Sequence, residues 1–237
     1  MKNFINISDH SSGDLRAIID EAKTRKLSRK GFNKSAPDDD KPFEGMSIAM
    51  IFEKPSTRTR MSFAIAAKQL GGSSIILNPD EIHYGKGDET IKDTAKVLSQ
   101  YADIIMIRTA SHKNVIEFRK YLEIPIINGL TNQGHPCQVM SDILTFEELK
   151  GDIKNKTIAW IGDGNNVSNS LIEAASKFDF YLKIGCPKKY YPNSVIVKMA
   201  KKNKCKLLIT DDPIKAAKDS DCVMTDKWVS MNDKVNK

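Results

Sequence analysis

Four cysteines in 237 residues are few, and none stands in a C-x-x-C pair. Cys137, Cys186, Cys205 and Cys222 lie scattered, which excludes a disulfide framework or a zinc finger and suits a reducing, cytosolic setting. Long hydrophobic runs are missing too. Nothing approaches the roughly 20 consecutive apolar residues of a membrane span, and the opening MKNFINISDHSSGDL has no apolar stretch of the secretory type. The expectation is a cytoplasmic protein without membrane contact. An excess of one charge is small: 37 Lys and Arg stand against 30 Asp and Glu, a formal net charge of +7. The surplus is spread along segments such as KKNKCK (201–206) and PKKYY (187–191), so a solvated lysine-rich surface accounts for it and no nucleic-acid partner is called for. A small phosphorylated substrate fits the same sign. Glycine patterns for nucleotides are also lacking. No GK[ST] loop occurs, and GDGNN (162–166) places Val167 where a dinucleotide fingerprint needs its third glycine.

What is present is a regular alternation of short apolar runs with helical periods. DLRAIIDEA (14–22) has the helical spacing, and residues 25–43 read as loop from their charge, proline and glycine. Strands are expected at 47–52, 73–78, 103–109 and 124–129, with helices at 60–72, 91–102 and 114–122 between them. Gly71 and Gly72 stop the first of these helices. A helix over 135–151 follows, with Pro136 in its first turn. KGDIKNK (150–156) reads as a boundary. Beyond it the alternation restarts, with strands at 157–162, 181–186, 205–210 and 221–225 and helices at 165–178, 194–203 and 213–218. The fold class is therefore α/β, with two doubly wound parallel-sheet domains over 1–148 and 149–237.

The sequence FEKPSTRTR (52–60) crowds cations and hydroxyls directly behind a buried strand. Strand, loop and helix in that order put Ser56, Thr57, Arg58 and Thr59 at a helix N-terminus, where free backbone N–H groups and the helix dipole favour an anion. Arg58 can add a two-pronged contact to a phosphate. A serine cap with surface arginines is the plainer reading of the same residues. Arg108 ends the apolar strand IIMIR and needs a partner, either an acidic side chain or a ligand. His135 precedes Pro136 at the next helix start, where a neutral imidazole can donate to a developing oxyanion, with Gln138 one turn further on. Asn165 and Asn166 offer amides at a strand-to-helix turn, suited to an amino-acid ligand.

FEKPSTRTR, MIRT (106–109), HPCQ (135–138), IGDGNN (161–166) and DKWVSM (226–231), in that order, resemble the aspartate/ornithine carbamoyltransferase family, with HPCQ and D-x-W-x-S-M pointing to its ornithine branch. The resemblance runs from Met1 to Met231. It implies a carbamoyl phosphate domain followed by an ornithine domain, and transfer of the carbamoyl group to the δ-amine of L-ornithine to give citrulline and phosphate in arginine metabolism. It implies no metal and no organic cofactor. Ser56, Thr57, Arg58 and Thr59 would hold the phosphate, Arg108 and His135 would polarise the carbonyl as catalytic residues, and Gln138 would bind the carbamoyl amine. Asn166, Asp226, Ser230 and Met231 would bind ornithine. His83, in HYGKGDE, stands where the family has a glutamine in a loop that completes a neighbouring subunit's carbamoyl phosphate site, so a homotrimer is implied.

The family also carries a later segment with an HCLP motif, which these 237 residues do not contain. The expectation is a second domain lacking its C-terminal portion, with an open sheet edge and an apolar face. Two other functions fit parts of this pattern. One is a carbamoyl phosphate-binding remnant with impaired catalysis, motivated by the intact first domain. The other is a carbamoyltransferase for another amine such as putrescine, against which Asp226 with Ser230 and Met231 favours an amino acid.

Overall fold

The computed structural model describes residues 2–78, 82 and 89–226. The chain forms two compact units, residues 1–5 with 24–131 and residues 6–23 with 132–237. Each is built on a four-stranded, fully parallel sheet.

In the first unit the strands are β1 (Ser47–Phe52), β2 (Ser73–Leu77), β3 (Ile104–Arg108) and β4 (Ile126–Leu130), in the spatial order β2-β1-β3-β4. Helices α2 (Thr57–Gln69), α3 (Ile91–Tyr101) and α4 (His112–Tyr121) connect them. Period-2 alternation sorts the strand residues onto opposite faces. Ala49 and Ile51 of β1 join Ile105 and Ile107 of β3, Ala95, Val115 and Phe118 in one core. Ile48, Met50 and Phe52 join Met106 and Ala67 in the other. Both faces of the sheet are thus covered, as parallel pairing requires. Side chains such as Phe118 and Met50, wholly removed from water, each contribute about 2 kcal/mol.

The edge strand β4 receives an extra partner that the sequence did not reveal. Phe4 lies parallel to Ile127, with its N–H on the Ile126 carbonyl at 2.8 Å and its own carbonyl accepting from Asn128 N–H at 2.8 Å. Asn128, fully buried in β4, donates its side-chain amide to the Ile5 carbonyl at 3.0 Å.

Helix α1 (Ser12–Ser28) extends past the point where the sequence suggested loop. Ser11 and Asp14 form a reciprocal cap at its start. Its last turn is held by tertiary ion pairs. Arg25 reaches Asp38 at 2.7 Å and Asp40 at 2.8 Å, and Arg29 also bonds Asp38. Local composition cannot show those long-range partners.

The second unit repeats the pattern with β5 (Thr157–Ile161), β6 (Tyr181–Gly185), β7 (Leu207–Thr210) and β8 (Cys222–Met224), ordered β7-β6-β5-β8. Helices α5 (Pro136–Lys150), α6 (Asn166–Phe178), α7 (Ser194–Lys202) and α8 (Pro213–Ala217) belong to it. Trp160, Leu182 and Ile184 of the sheet and Leu171, Ile172 and Phe178 of α6 are all buried. Among the described residues β8 pairs only with β5. Beside it lies an apolar groove of about 250 Å³ lined by Asp142, Ile143, Phe146, Ile158, Leu171 and Met224.

Within this unit Glu147 of α5 is a buried ionic centre. Its two oxygens accept from the two terminal nitrogens of Arg16 at 2.8 Å each, Lys23 reaches it at 2.6 Å, and the Ile153 N–H adds a fourth bond at 3.2 Å. Burial pushes its carboxyl upward, but these donors outweigh it and hold it down at about 2.

Candidate active site

In the first unit the register of the sheet builds the arrangement. Phe52, the last residue of β1, pairs with Arg108, the last of β3. Only Glu53 to Ser56 separate β1 from α2, so the start of α2 lies beside the end of β3. Ser56 caps α2, its hydroxyl accepting from the Thr59 N–H at 3.3 Å. The expectation that residues 56–59 open a helix is met, and Thr57 and Arg58 are exposed there.

A bulge in the β3–β4 pairing between Ile107 and Arg108 changes the register so that Arg108 faces Leu130. Such bulges bend a strand and redirect a side chain. Gly129 lies in the skipped position, and a Cβ there would come within 2.3 Å of the Met106 sulfur. Arg108 Nη1 donates to Thr59 Oγ1 at 3.2 Å, while its buried Nε has no acceptor among the described residues. Burial first, and the like charge of Arg58 second, push the Arg108 guanidinium down from its usual range. Two arginines therefore crowd together, with no carboxylate paired to Arg108 among the described residues. Such an arrangement can receive an anion.

The last cation of FEKPSTRTR is used differently. Arg60 lies 5.2 Å over the Phe52 ring and donates to Asn78 at 2.9 Å. Glu53 and Thr109 were not singled out from sequence, yet they brace the same edge. Thr109 donates its hydroxyl to Glu53, the Glu53 N–H bonds the Arg108 carbonyl at 3.0 Å, and the Ser111 N–H bonds Thr109 Oγ1 at 3.0 Å. The strand-end position of both residues was the available signal.

In the second unit His135 stands immediately before α5, and Pro136 takes the first helical position as expected. Two side chains of α6 hold this segment. Ser170 accepts from the His135 N–H at 2.9 Å, and Asn169 donates to the Gln133 carbonyl at 3.0 Å. Gln138 is exposed one turn along and donates its amide nitrogen to Asp142 at 2.8 Å. Cys137 is held as a neutral thiol, its burial pushing it up to about 12.

The turn GDGNN is shaped by packing. A Cβ at Gly164 would lie 2.3 Å from the Pro192 nitrogen, and the Gly164 N–H bonds the Tyr190 carbonyl at 2.7 Å. Asn165 accepts from the N–H groups of Val167 and Ser168 as the cap of α6. Its Nδ2 donates to Asp163 at 3.1 Å and to Asp226 at 3.4 Å. The Asn165 amide is therefore engaged within the protein, and it positions Asp226. Asn166 is buried in the first turn of α6. His83, Ser230 and Met231 lie outside the described residues.

Among the described residues no group of three or more His, Cys, Asp or Glu is placed to hold a metal ion, and no helix is long and apolar enough to cross a membrane. The described cysteines are all free thiols.

Residues 2–148 match the family model described as "Aspartate/ornithine carbamoyltransferase, carbamoyl-P binding domain", and residues 154–237 match "Aspartate/ornithine carbamoyltransferase, Asp/Orn binding domain". The chain is 50% identical over 231 residues to an ornithine carbamoyltransferase of Brucella ovis, covering 98% of this chain and 72% of that protein. It is 46% identical to the one from Rhizobium meliloti, covering 98% of this chain and 74% of the relative. Among solved structures, ornithine carbamoyltransferase from Pyrococcus furiosus superposes with a TM-score of 0.90 at 38% identity, over 97% of this chain and 73% of that one. The anabolic ornithine carbamoyltransferase of Campylobacter jejuni does so with 0.88 at 34%, over 100% of this chain and 77% of that one. With both halves matched in order and the fold shared with such relatives, this chain belongs to the aspartate/ornithine carbamoyltransferase family.

Proposed function

We propose that the protein transfers the carbamoyl group of carbamoyl phosphate to the δ-amine of L-ornithine, giving L-citrulline and phosphate. The observation that carries this reading is Arg108. Its guanidinium is half-buried beside Arg58, with one nitrogen on Thr59 and a buried Nε that has no acceptor among the described residues. A dianionic phosphorylated reagent satisfies that charge.

The roles follow from where charge develops. The amine nitrogen attacks the carbonyl carbon and forms the new C–N bond. Negative charge builds on the carbonyl oxygen, the bond to the phosphate oxygen breaks, and one amine proton ends on the phosphate product. Ser56, Thr57, Arg58 and Thr59 hold the phosphate through hydroxyls, backbone N–H groups and the guanidinium of Arg58. Arg108 and His135 supply donors to the carbonyl oxygen, which become stronger as it turns anionic. Gln138 takes the carbamoyl amine, with His83 as a further contact to the same substrate. Asn166, Asp226, Ser230 and Met231 hold ornithine, Asp226 facing a cationic amine. Functionally we divide the chain into a carbamoyl phosphate domain (1–148) and an ornithine domain (149–237). Family resemblance supports a cytoplasmic homotrimer acting in arginine metabolism.

The test is citrulline formation from carbamoyl phosphate and ornithine, with putrescine as the competing acceptor. Turnover with ornithine well above that with putrescine is expected. A protein that makes no citrulline and shows no calorimetric binding of carbamoyl phosphate refutes the reading.

A further inference from the structure

Asp142 stands one helical turn after Gln138 on α5, and its Oδ1 accepts a hydrogen bond from Gln138 Nε2 at 2.8 Å. The i,i+4 spacing keeps the two side chains on one face of the helix. An ionised carboxylate can only accept. It therefore selects the nitrogen of the glutamine amide and turns the oxygen the other way. Asp142 is half-buried at the apolar groove, beside Ile143, Phe146 and Met224. Gln138 faces it from its own helix, Cys222 from β8 and Asp226 from the segment after β8, while Asp221 and Lys150 line the same groove. No cation lies within ion-pair distance of it among the described residues. Burial, with the like charge of Asp226 behind it, lifts the carboxyl to about 6 against the opposing bond from Gln138.

We propose that Asp142 is a positioning residue that fixes the amide of Gln138 so that its oxygen, the acceptor, is offered to the amine of the carbamoyl group. The inference rests on the role given above to Gln138. A carbamoyl amine presents only N–H donors, so a reversed glutamine would set donor against donor. Asparagine at 142 permits both orientations, because its own amide can accept from Gln138 Nε2 or donate to Gln138 Oε1.

The experiment titrates the protein and its Asp142→Asn variant at pH 7.5 with carbamoyl phosphate and, separately, with inorganic phosphate, which shares the anion contacts and has no amine. The variant is expected to bind carbamoyl phosphate about fivefold more weakly, equivalent to ~1 kcal/mol, and phosphate unchanged. Equal losses on both ligands, or a loss on neither, overturn the proposal. Absence of carbamoyl phosphate binding by the unaltered protein overturns the functional reading itself, and is seen without the variant. A second readout needs no substitution. The side-chain amide signal of Gln138 in nitrogen-15 spectra is expected to shift together with the carboxyl carbon signal of Asp142 as pH is lowered, and a Gln138 signal that stays flat while that carboxyl titrates overturns the proposal equally.

Discussion

Thr59 Oγ1 accepts a hydrogen bond from Arg108 Nη1 at 3.2 Å, joining the first turn of α2 to the end of β3. The contact orients a guanidinium that burial and Arg58 both make less comfortable as a cation. Replacing Arg108 by methionine keeps the volume and removes the donors. Carbamoyl transfer is expected to fall by roughly 10²–10³ in kcat. Thr59→Val keeps the shape and loses the acceptor, and a drop of about tenfold is expected. Steady-state kinetics on both variants check this, and an R108M enzyme of unaltered kcat would remove Arg108 from the chemistry.

Glu147 ties α1 to α5 through Arg16, Lys23 and the Ile153 N–H. Its carboxyl is held at about 2, below the ordinary 4.5. A carboxyl depressed in the folded state stabilises above its unfolded value, and that contribution is lost as pH falls from about 4.5 to about 2. Glu147→Gln is expected to lower stability by about 3 kcal/mol at pH 7 and to flatten the acid limb in that window. Urea unfolding at pH 7 and pH 3 measures both effects.

Asp142 carries the opposite sign. Its folded value of about 6 exceeds the ordinary 3.8, so its contribution is fully present below pH 3.8 and is lost as pH rises through 6. Asp142→Asn is therefore expected to raise the melting temperature at pH 7.5 by several degrees, through ~1–3 kcal/mol, and to leave it nearly unchanged near pH 4. A variant that melts lower at pH 7.5 would contradict this.

Asn165 caps α6 and also holds Asp226 at 3.4 Å. Asn165→Ala is expected to cost about 1 kcal/mol through the lost cap and to raise KM for ornithine more than KM for carbamoyl phosphate. Asn165→Ser, which restores the cap oxygen without the amide nitrogen, should recover the stability and not the ornithine KM. Thermal melts and two-substrate kinetics separate the two roles.

The alternation of apolar runs and helical periods was enough to read the elements, because each strand of a covered parallel sheet must be apolar on both faces. Ser56 as a helix cap and Pro136 in a first turn were legible for the same local reason, since both are fixed by backbone geometry within a few residues. Residues 25–43 carry the charge, proline and glycine of a loop, yet α1 runs on through them to Ser28. Arg25 stays helical with Asp38 and Asp40 meeting it from 13 and 15 residues further along the chain, Arg29 just past the helix end joins it on Asp38, and local composition carries no trace of that pairing.

The sequence alone settled which residue types stand at strand ends and helix starts, and through its ordered motifs the family. Only tertiary structure decided how these residues are used. The β1–β3 register set Arg108 opposite Phe52, beside the start of α2 where it meets Thr59, Arg60 was drawn off to Phe52 and Asn78, and the Asn165 amide was taken up by its own helix and Asp226. Register and burial are sums over many distant contacts, so a donor's partner and a carboxyl's proton affinity exist only once the chain has folded.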